Sequence, residues 1–308
     1  MHIICQFGDD YALASHWVTC LKQQLPGAKV SVWQPHMPPA DFAIVWNPSQ
    51  EMLDQQISLK AIFNAGAGVD AIRQLRLSED IPVIRLEDAG MAEQMSDYIS
   101  HAVLHHYREM DEYAVQSEKK IWQVRSPRNK NEYSVGILGF GVLGQAVAER
   151  IHALGFRVNA WSRTPHSSRN ITLYSGDSRL NDFLSASRIL VCLLPLTPST
   201  RGILCTAHFH WLPDGAYIIN AGRGEHLVND DLLQALDSGK IAGATLDVVG
   251  QEPLPSYHPF WQHHKIRITP HISAATLPAV AVRQISEKIT AILAGAGVSG
   301  RLDMCNGY

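Results

Sequence analysis

Val135-Gly-Ile-Leu-Gly139-Phe-Gly141-Val-Leu-Gly144, running on into Gln145-Ala-Val-Ala-Glu-Arg150, decides the fold. Four alternating apolar and small residues make a strand, three glycines in Gly-x-Gly-x-x-Gly spacing make a turn, and the residues after them have helical character. The three glycines act differently. The first makes the turn, the second lets backbone approach a pyrophosphate, and the third lets helix and strand pack. The helix N-terminus then faces the anion. A glycine pattern alone carries little; between a strand and a helix it predicts a dinucleotide-binding βα unit, with Gly139, Gly141, Val142, Leu143 and Gly144 forming the loop.

The next strand, Arg157-Val-Asn-Ala-Trp161, sharpens the cofactor. Near its end, about 20 residues past the loop, an NAD site would place an acidic residue on the ribose 2′-hydroxyl. Ser162-Arg163-Thr164 stand there instead. A hydroxyl and a guanidinium suit a 2′-phosphate that a carboxylate would repel, so NADP(H) is expected over NAD(H). The alternative is that Arg163 is a solvated surface residue.

Outward from this unit, strands and helices alternate in both directions. Ile3–Phe7, Lys29–Trp33, Phe42–Trp46, Lys60–Ala65 and Val83–Leu86 read as strands, with a helix through Ala12–Gln24. Alternation of this kind argues for an α/β protein whose parallel sheets are covered by helices. Ala92–Trp122 reads as one long helix crossing into the second unit, which runs from Ser134–Gly139 to Lys265–Thr269. The last helix follows Thr276–Pro278 and is rich in apolar positions, so it is expected to return to the first lobe. Two doubly wound, Rossmann-like or flavodoxin-like domains with a cleft between them follow: residues 1–95 with 275–308, and residues 96–274.

The length of 308 residues supports two cores rather than one, and 46% hydrophobic with 18% charged residues is a globular composition. A formal charge of −3 with no dense Lys/Arg cluster argues against nucleic acid as a partner. No apolar run reaches the ~18 residues of a membrane span, and Met1–Phe7 reads as a strand rather than a signal peptide. Five cysteines without a Cys-x-x-Cys pair fit the reducing cytoplasm.

Three polar residues stand out in small, stiff contexts: Asn220-Ala-Gly-Arg223-Gly224, Gln251-Glu252-Pro253 and Thr269-Pro-His271. A guanidinium clamps a carboxylate bidentately, and an imidazole paired with a carboxylate passes a proton near neutral pH. Singly, each reads as easily as a surface arginine, a loop carboxylate and a buried histidine. Together, downstream of a dinucleotide loop, they read as a reaction centre. His101 and His105 have the i, i+4 spacing of a metal pair with His106 beside them, but no third ligand is apparent, so no metal is expected.

In order and context these segments resemble the D-isomer-specific 2-hydroxyacid dehydrogenases. The resemblance spans nearly the whole chain: Gly66-Ala-Gly-Val-Asp70, the Gly139–Gly144 loop, Leu193-Leu-Pro195-Leu-Thr197, the Arg223 segment, Leu246-Asp-Val248, Glu252-Pro253 and Pro270-His271. Within the family it is most similar to reductases of small 2-oxo acids such as glyoxylate and hydroxypyruvate, through Val45-Trp46, Phe63–Asp70, Arg85-Leu-Glu-Asp88 and Trp161-Ser-Arg163. The resemblance implies that Arg223 binds substrate carboxylate and carbonyl, that His271 is the acid/base, and that Glu252 orients it. It also implies that amides near Ala67 and Gly68 hold the carboxylate, that Asp247 meets the nicotinamide carboxamide, and that Leu194, Pro195 and Ala221 line the cofactor. Trp46 reads equally as a limit on substrate size or as core. Val249 departs from the family, many of whose members carry an aromatic residue there. A homodimer through the helix after Glu93 is a further implication. Two other functions stay open: reduction of a larger 2-oxo acid, and a non-catalytic, dinucleotide-sensing corepressor role.

Overall fold

A computed structural model describes residues 1–66, 68–78 and 80–302, and divides the chain into two compact units, Met1–Met91 with Ala275–Tyr308, and Ala92–Ala274. The division falls between residues 91 and 92, in the first turn of a helix, and the sequence places it at 95/96 in the same helix.

The first unit contains β1 (His2–Phe7), α1 (Tyr11–Gln24), β2 (Lys29–Val32), β3 (Phe42–Trp46), α2 (Gln50–Gln55), β4 (Ala61–Asn64), α3 (Asp70–Arg73) and β5 (Val83–Arg85). Its five strands are all parallel, in the order β2-β1-β3-β4-β5. β4 is buried along its whole length and β3 for four of its five residues, as strands covered on both faces must be. Capping sets the helix starts: Asp10 accepts the Leu13 amide at 2.8 Å, and Ser49 accepts that of Met52 at 3.2 Å.

The second unit contains α4 (Met91–Tyr107, beginning at the boundary), α5 (Met110–Glu118), β6 (Val135–Leu138), α6 (Val142–Ala153), β7 (Val158–Ser162), β8 (Thr172–Ser175), α7 (Leu180–Ser185), β9 (Ile189–Cys192), α8 (Thr206–Phe209), β10 (Ala216–Asn220), α9 (Asn229–Asp237), β11 (Ile241–Leu246) and β12 (Ile266–Ile268). The strand order is β12-β11-β10-β9-β6-β7-β8, again all parallel. The chain winds from β6 outward to β8 and then returns to lay β9 on the other side of β6. Loops after β6 and β9 therefore diverge at a topological switch point, where open α/β sheets bind ligands.

The long helix expected over 92–122 is two helices. Glu109 interrupts it in the left-handed region, φ 55°, and its carboxylate, only 10% exposed, is gripped by Arg125 and by Arg128 at 2.9 Å. Neither glycine nor proline marks this break; residues 16 and 19 positions away hold it.

The final helix, α10 (Pro278–Leu293), starts with proline at its first turn and packs on α1 in the first unit. Gln284 exchanges two hydrogen bonds with the Glu87 backbone, at 3.0 and 2.9 Å. The Ser299 hydroxyl and the Lys288 ammonium hold the Glu87 carboxyl below its usual range. Among the described residues no helix is long and apolar enough to cross a membrane, and Cys5, Cys20, Cys192 and Cys205 are free thiols.

Candidate active site

In the second unit the predicted residues lie on loops that leave the carboxyl ends of adjacent strands. The glycine loop follows β6, Leu194 and Pro195 follow β9, Arg223 follows β10, Asp247 follows β11 and His271 follows β12. Parallel strands put all of these loops on one edge of the sheet.

The glycine loop is built for close approach. Gly139 has φ 102°, and a Cβ there would lie 2.9 Å from the Leu193 carbonyl oxygen. A Cβ on Gly144 would lie 1.9 Å from the Gly139 oxygen, so that glycine serves strand-helix packing. Gly141 faces open space, with nothing within 4 Å of where its Cβ would be, and it precedes an α6 first turn that carries no acidic residue. This arrangement fits a dinucleotide pyrophosphate: open backbone at the second glycine and free amides at a helix start. At the end of β7, the half-buried Ser162 donates its hydroxyl to the Thr164 carbonyl at 2.7 Å and so curls the chain at exposed Arg163 and Thr164.

His271 and Glu252 are paired directly, Nδ1 to Oε2 at 2.9 Å, with each side chain 40% exposed. The other Glu252 oxygen accepts the Val249 amide at 3.2 Å, which fixes the carboxylate on its own loop. With Nδ1 against the carboxylate, Nε2 is the ring nitrogen left for a substrate. His271 itself sits at φ 56°. Its amide donates to the Asp247 carbonyl at 2.8 Å.

Asp247, 1% exposed, does more than the sequence suggests. Its carboxylate accepts the Thr269 hydroxyl at 2.6 Å and the amides of Ile272 and Ser273 at 2.9 and 2.8 Å, clamping the turn that carries His271. A carboxylate has about four acceptor positions, so about one remains for any further partner.

Arg223 is half-buried after β10, with one guanidinium nitrogen donating to the Gly222 carbonyl at 2.7 Å. Fully buried Asn220 braces this turn by donating to the Arg223 carbonyl at 3.0 Å and accepting the Gly222 amide at 3.2 Å. The loops of Arg223 and Glu252 touch: a Cβ on Gly224 would lie 1.9 Å from the Val249 carbonyl carbon. His226, fully buried, accepts the Arg223 amide at Nδ1, 3.1 Å, and its Nε2 faces the Pro195 carbonyl at 3.3 Å. It therefore ties the arginine turn to the Leu194-Pro195 turn, and Ala221 is buried between them in sequence.

The first unit contributes a separate feature. Trp46, half-buried at the end of β3, lays its ring over Gly66, where a Cβ would come within 2.2 Å of a ring carbon. The Asn64 amide, 2% exposed, donates to the carbonyls of Gly66 and Gly68 at 2.8 and 2.7 Å and so ties both to the end of β4. Ala67 lies outside the described residues.

Of the histidines on α4, His105 is 3.5 Å from the Asp111 carboxylate, which Arg267 also pairs, and His106 stacks on Tyr217 with ring centroids 4.1 Å apart. Among the described residues no cluster of His, Cys, Asp or Glu is arranged to hold a metal.

Sequence reasoning does not single out Asn64 or His226. Asn64 ends an otherwise apolar strand and His226 follows Arg223 by three residues, the reach of a cap, so both leave a local trace.

A glycine loop at the switch point, with a carboxylate-paired histidine on the same sheet edge, defines a dinucleotide-binding oxidoreductase. The family model for the D-isomer specific 2-hydroxyacid dehydrogenase, NAD binding domain, matches residues 100–273, and the chain belongs to that family. It is 45% identical over 302 residues to glyoxylate/hydroxypyruvate reductase A of Yersinia enterocolitica, covering 96% of both chains. Its fold matches a D-isomer specific 2-hydroxyacid dehydrogenase from Xanthobacter autotrophicus Py2, solved with NADPH and MES, at TM-score 0.94 and 35% identity over 99% of each chain. It also matches an NADPH-dependent glyoxylate/hydroxypyruvate reductase from Sinorhizobium meliloti, solved with NADP and sulfate, at TM-score 0.93 and 31% identity, covering 100% of this chain and 99% of that one.

Proposed function

We propose that this protein reduces small 2-oxo acids with NADPH, glyoxylate to glycolate and hydroxypyruvate to D-glycerate. The observation that carries the proposal is the His271–Glu252 pair, 2.9 Å apart, on the sheet edge that also bears the glycine loop. When bound, the nicotinamide supplies a hydride to the carbonyl carbon. His271 gives the Nε2 proton to the carbonyl oxygen as it takes on negative charge, and Glu252 holds the ring through Nδ1. The Arg223 guanidinium binds the substrate carboxylate and offsets charge on the developing alkoxide. One 2-oxo acid, one NADPH and one proton thus become one 2-hydroxy acid and NADP⁺.

Gly139, Gly141, Val142, Leu143 and Gly144 would hold the pyrophosphate, and Ser162, Arg163 and Thr164 the 2′-phosphate. Leu194, Pro195 and Ala221 would line the cofactor, with Asp247 offering its remaining acceptor to the carboxamide. By family resemblance the amide of Gly68 takes the substrate carboxylate and Trp46 limits substrate size. A homodimer is supported by exposed Met110, Val115, Ile121, Trp122 and Val124 on and after α5. Free thiols fit a reducing cytoplasm.

The test is a panel of 2-oxo acids monitored by NADPH oxidation, with light scattering for the dimer. Turnover should be fastest with glyoxylate and hydroxypyruvate, and His271→Ala should keep NADPH binding while losing about 10² to 10⁴ in kcat. Activity confined to bulky 2-oxo acids would replace the substrate assignment. Tight NADPH binding without any turnover would point to a nucleotide-sensing role instead.

A further inference from the structure

Behind the turn that carries His271 lies a line of three oxygens that the proton transfer does not use. The Thr269 hydroxyl donates to Asp247 Oδ1 at 2.6 Å, and the phenol of Tyr98, on α4, stands 2.6 Å from that hydroxyl. The direction of the hydrogen-bond chain is forced. A carboxylate only accepts, so the single Thr269 proton points at Asp247, and the phenol must donate to Thr269. Burial pushes the Tyr98 phenol up to about 12, so it keeps its proton at any working pH.

At the far end, the Asp247 carboxylate takes the Ile272 and Ser273 amides while its backbone carbonyl takes that of His271. These bonds define the turn. His271 stands in it at φ 56°, a conformation that a non-glycine residue keeps only when its surroundings over-determine it. All of these groups belong to the second unit, although Tyr98 and Thr269 are 171 residues apart.

We propose that Tyr98 is a positioning residue for the reaction, acting through Thr269 and Asp247 to hold the turn that aims the His271 ring; this rests on reading His271 as the acid. Space filling alone would be served by phenylalanine. The hydroxyl adds the donor that fixes the Thr269 rotor, and with it the acceptor geometry of the clamp.

The test compares Tyr98→Phe, Thr269→Val, Thr269→Ser and the Tyr98→Phe/Thr269→Val double variant. Two readouts are taken, glyoxylate-dependent NADPH oxidation and amide hydrogen exchange at Ile272 and Ser273. Small misplacements of catalytic groups cost up to about 10²-fold, so Tyr98→Phe should lower kcat about tenfold while leaving KM and the NADPH Kd within about twofold. Exchange at the two amides should quicken by about fivefold or more. Thr269→Val should show the same pattern, Thr269→Ser should retain most activity, and the double variant should be little worse than Thr269→Val alone.

Wild-type kcat in Tyr98→Phe, unchanged exchange, or additive losses in the double variant would each overturn the proposal. A wild-type enzyme silent on every 2-oxo acid would instead remove the functional reading, and the exchange data would still judge whether Tyr98 holds the turn.

Discussion

Replacing Gly224 with alanine asks how closely the two loops of the proposed reaction centre depend on each other. The added Cβ would meet the Val249 carbonyl carbon at 1.9 Å, its oxygen at 2.1 Å and the Gly250 nitrogen at 2.3 Å. All three are backbone atoms, so no side-chain rotation relieves the contact. Restoring ordinary van der Waals separation requires the loops to part by roughly 1.5 Å. One loop carries Arg223 and the other Glu252, whose carboxylate is tied to the Val249 amide and to His271. Misplacement by about 1 Å costs on the order of 10²-fold in rate, so kcat/KM for glyoxylate should fall at least about 100-fold, near 2.7 kcal/mol of transition-state stabilisation. Overpacking should also lower stability by about 1–3 kcal/mol, read as a melting point a few degrees lower. The glycine loop after β6 is untouched, so the NADPH Kd, from nucleotide fluorescence titration, should stay within about threefold. A folded Gly224→Ala protein with kcat/KM within threefold of wild type would refute the reasoning that these loops set the geometry of catalysis.

Gly141→Ala makes the opposite case: its Cβ enters open space, so melting should be unchanged while the NADPH Kd rises about tenfold or more; an unchanged Kd would show that no pyrophosphate approaches there. Arg163→Ala should cut the ratio of NADPH to NADH affinity by about tenfold or more, and a constant ratio would assign the residue to the surface. Stability should depend on acid through His106. Burial, with Arg128 and Arg188 nearby, pushes this imidazole down to about 3, whereas the unfolded chain protonates near 6.5. Below about pH 6.5 the unfolded state therefore binds the extra proton, and stability falls as pH drops, by about 2 kcal/mol between pH 7 and 5. His106→Phe keeps a ring on Tyr217 and should flatten that slope in urea titrations; an equally steep slope would place the sensitivity elsewhere.

The unit most legible in the sequence is β6, its loop and α6, because strand pattern, glycine spacing and helix start all fall within Val135–Ala153. Local constraints of three kinds agree there. The first-unit strands are legible for the same reason, with β3 read over its observed span. The break at Glu109 is not, since its left-handed backbone is held by Arg125 and Arg128 rather than by a glycine or proline in place. His271, Glu252 and Arg223 are singled out by short motifs and family resemblance; no spacing rule brings residues 252 and 271 within 2.9 Å. Tyr98 is hidden among apolar helix positions because its partner is remote in the chain. Resemblance gives Asp247 an outward contact, whereas the clamp it makes on Thr269, Ile272 and Ser273 emerges only from the folded chain.

The return of α10 to the first unit has a consequence for how the protein is made. Residues 1–91 are made before the second unit, yet α1 waits for a partner that begins at Pro278. At about 5–20 residues per second the ribosome takes roughly 10–40 s to reach it. The second unit, encoded without interruption, is complete before then and can fold while the first remains open along the α1 face. Vectorial synthesis thus completes the dinucleotide-binding half before α10 is available to cover α1.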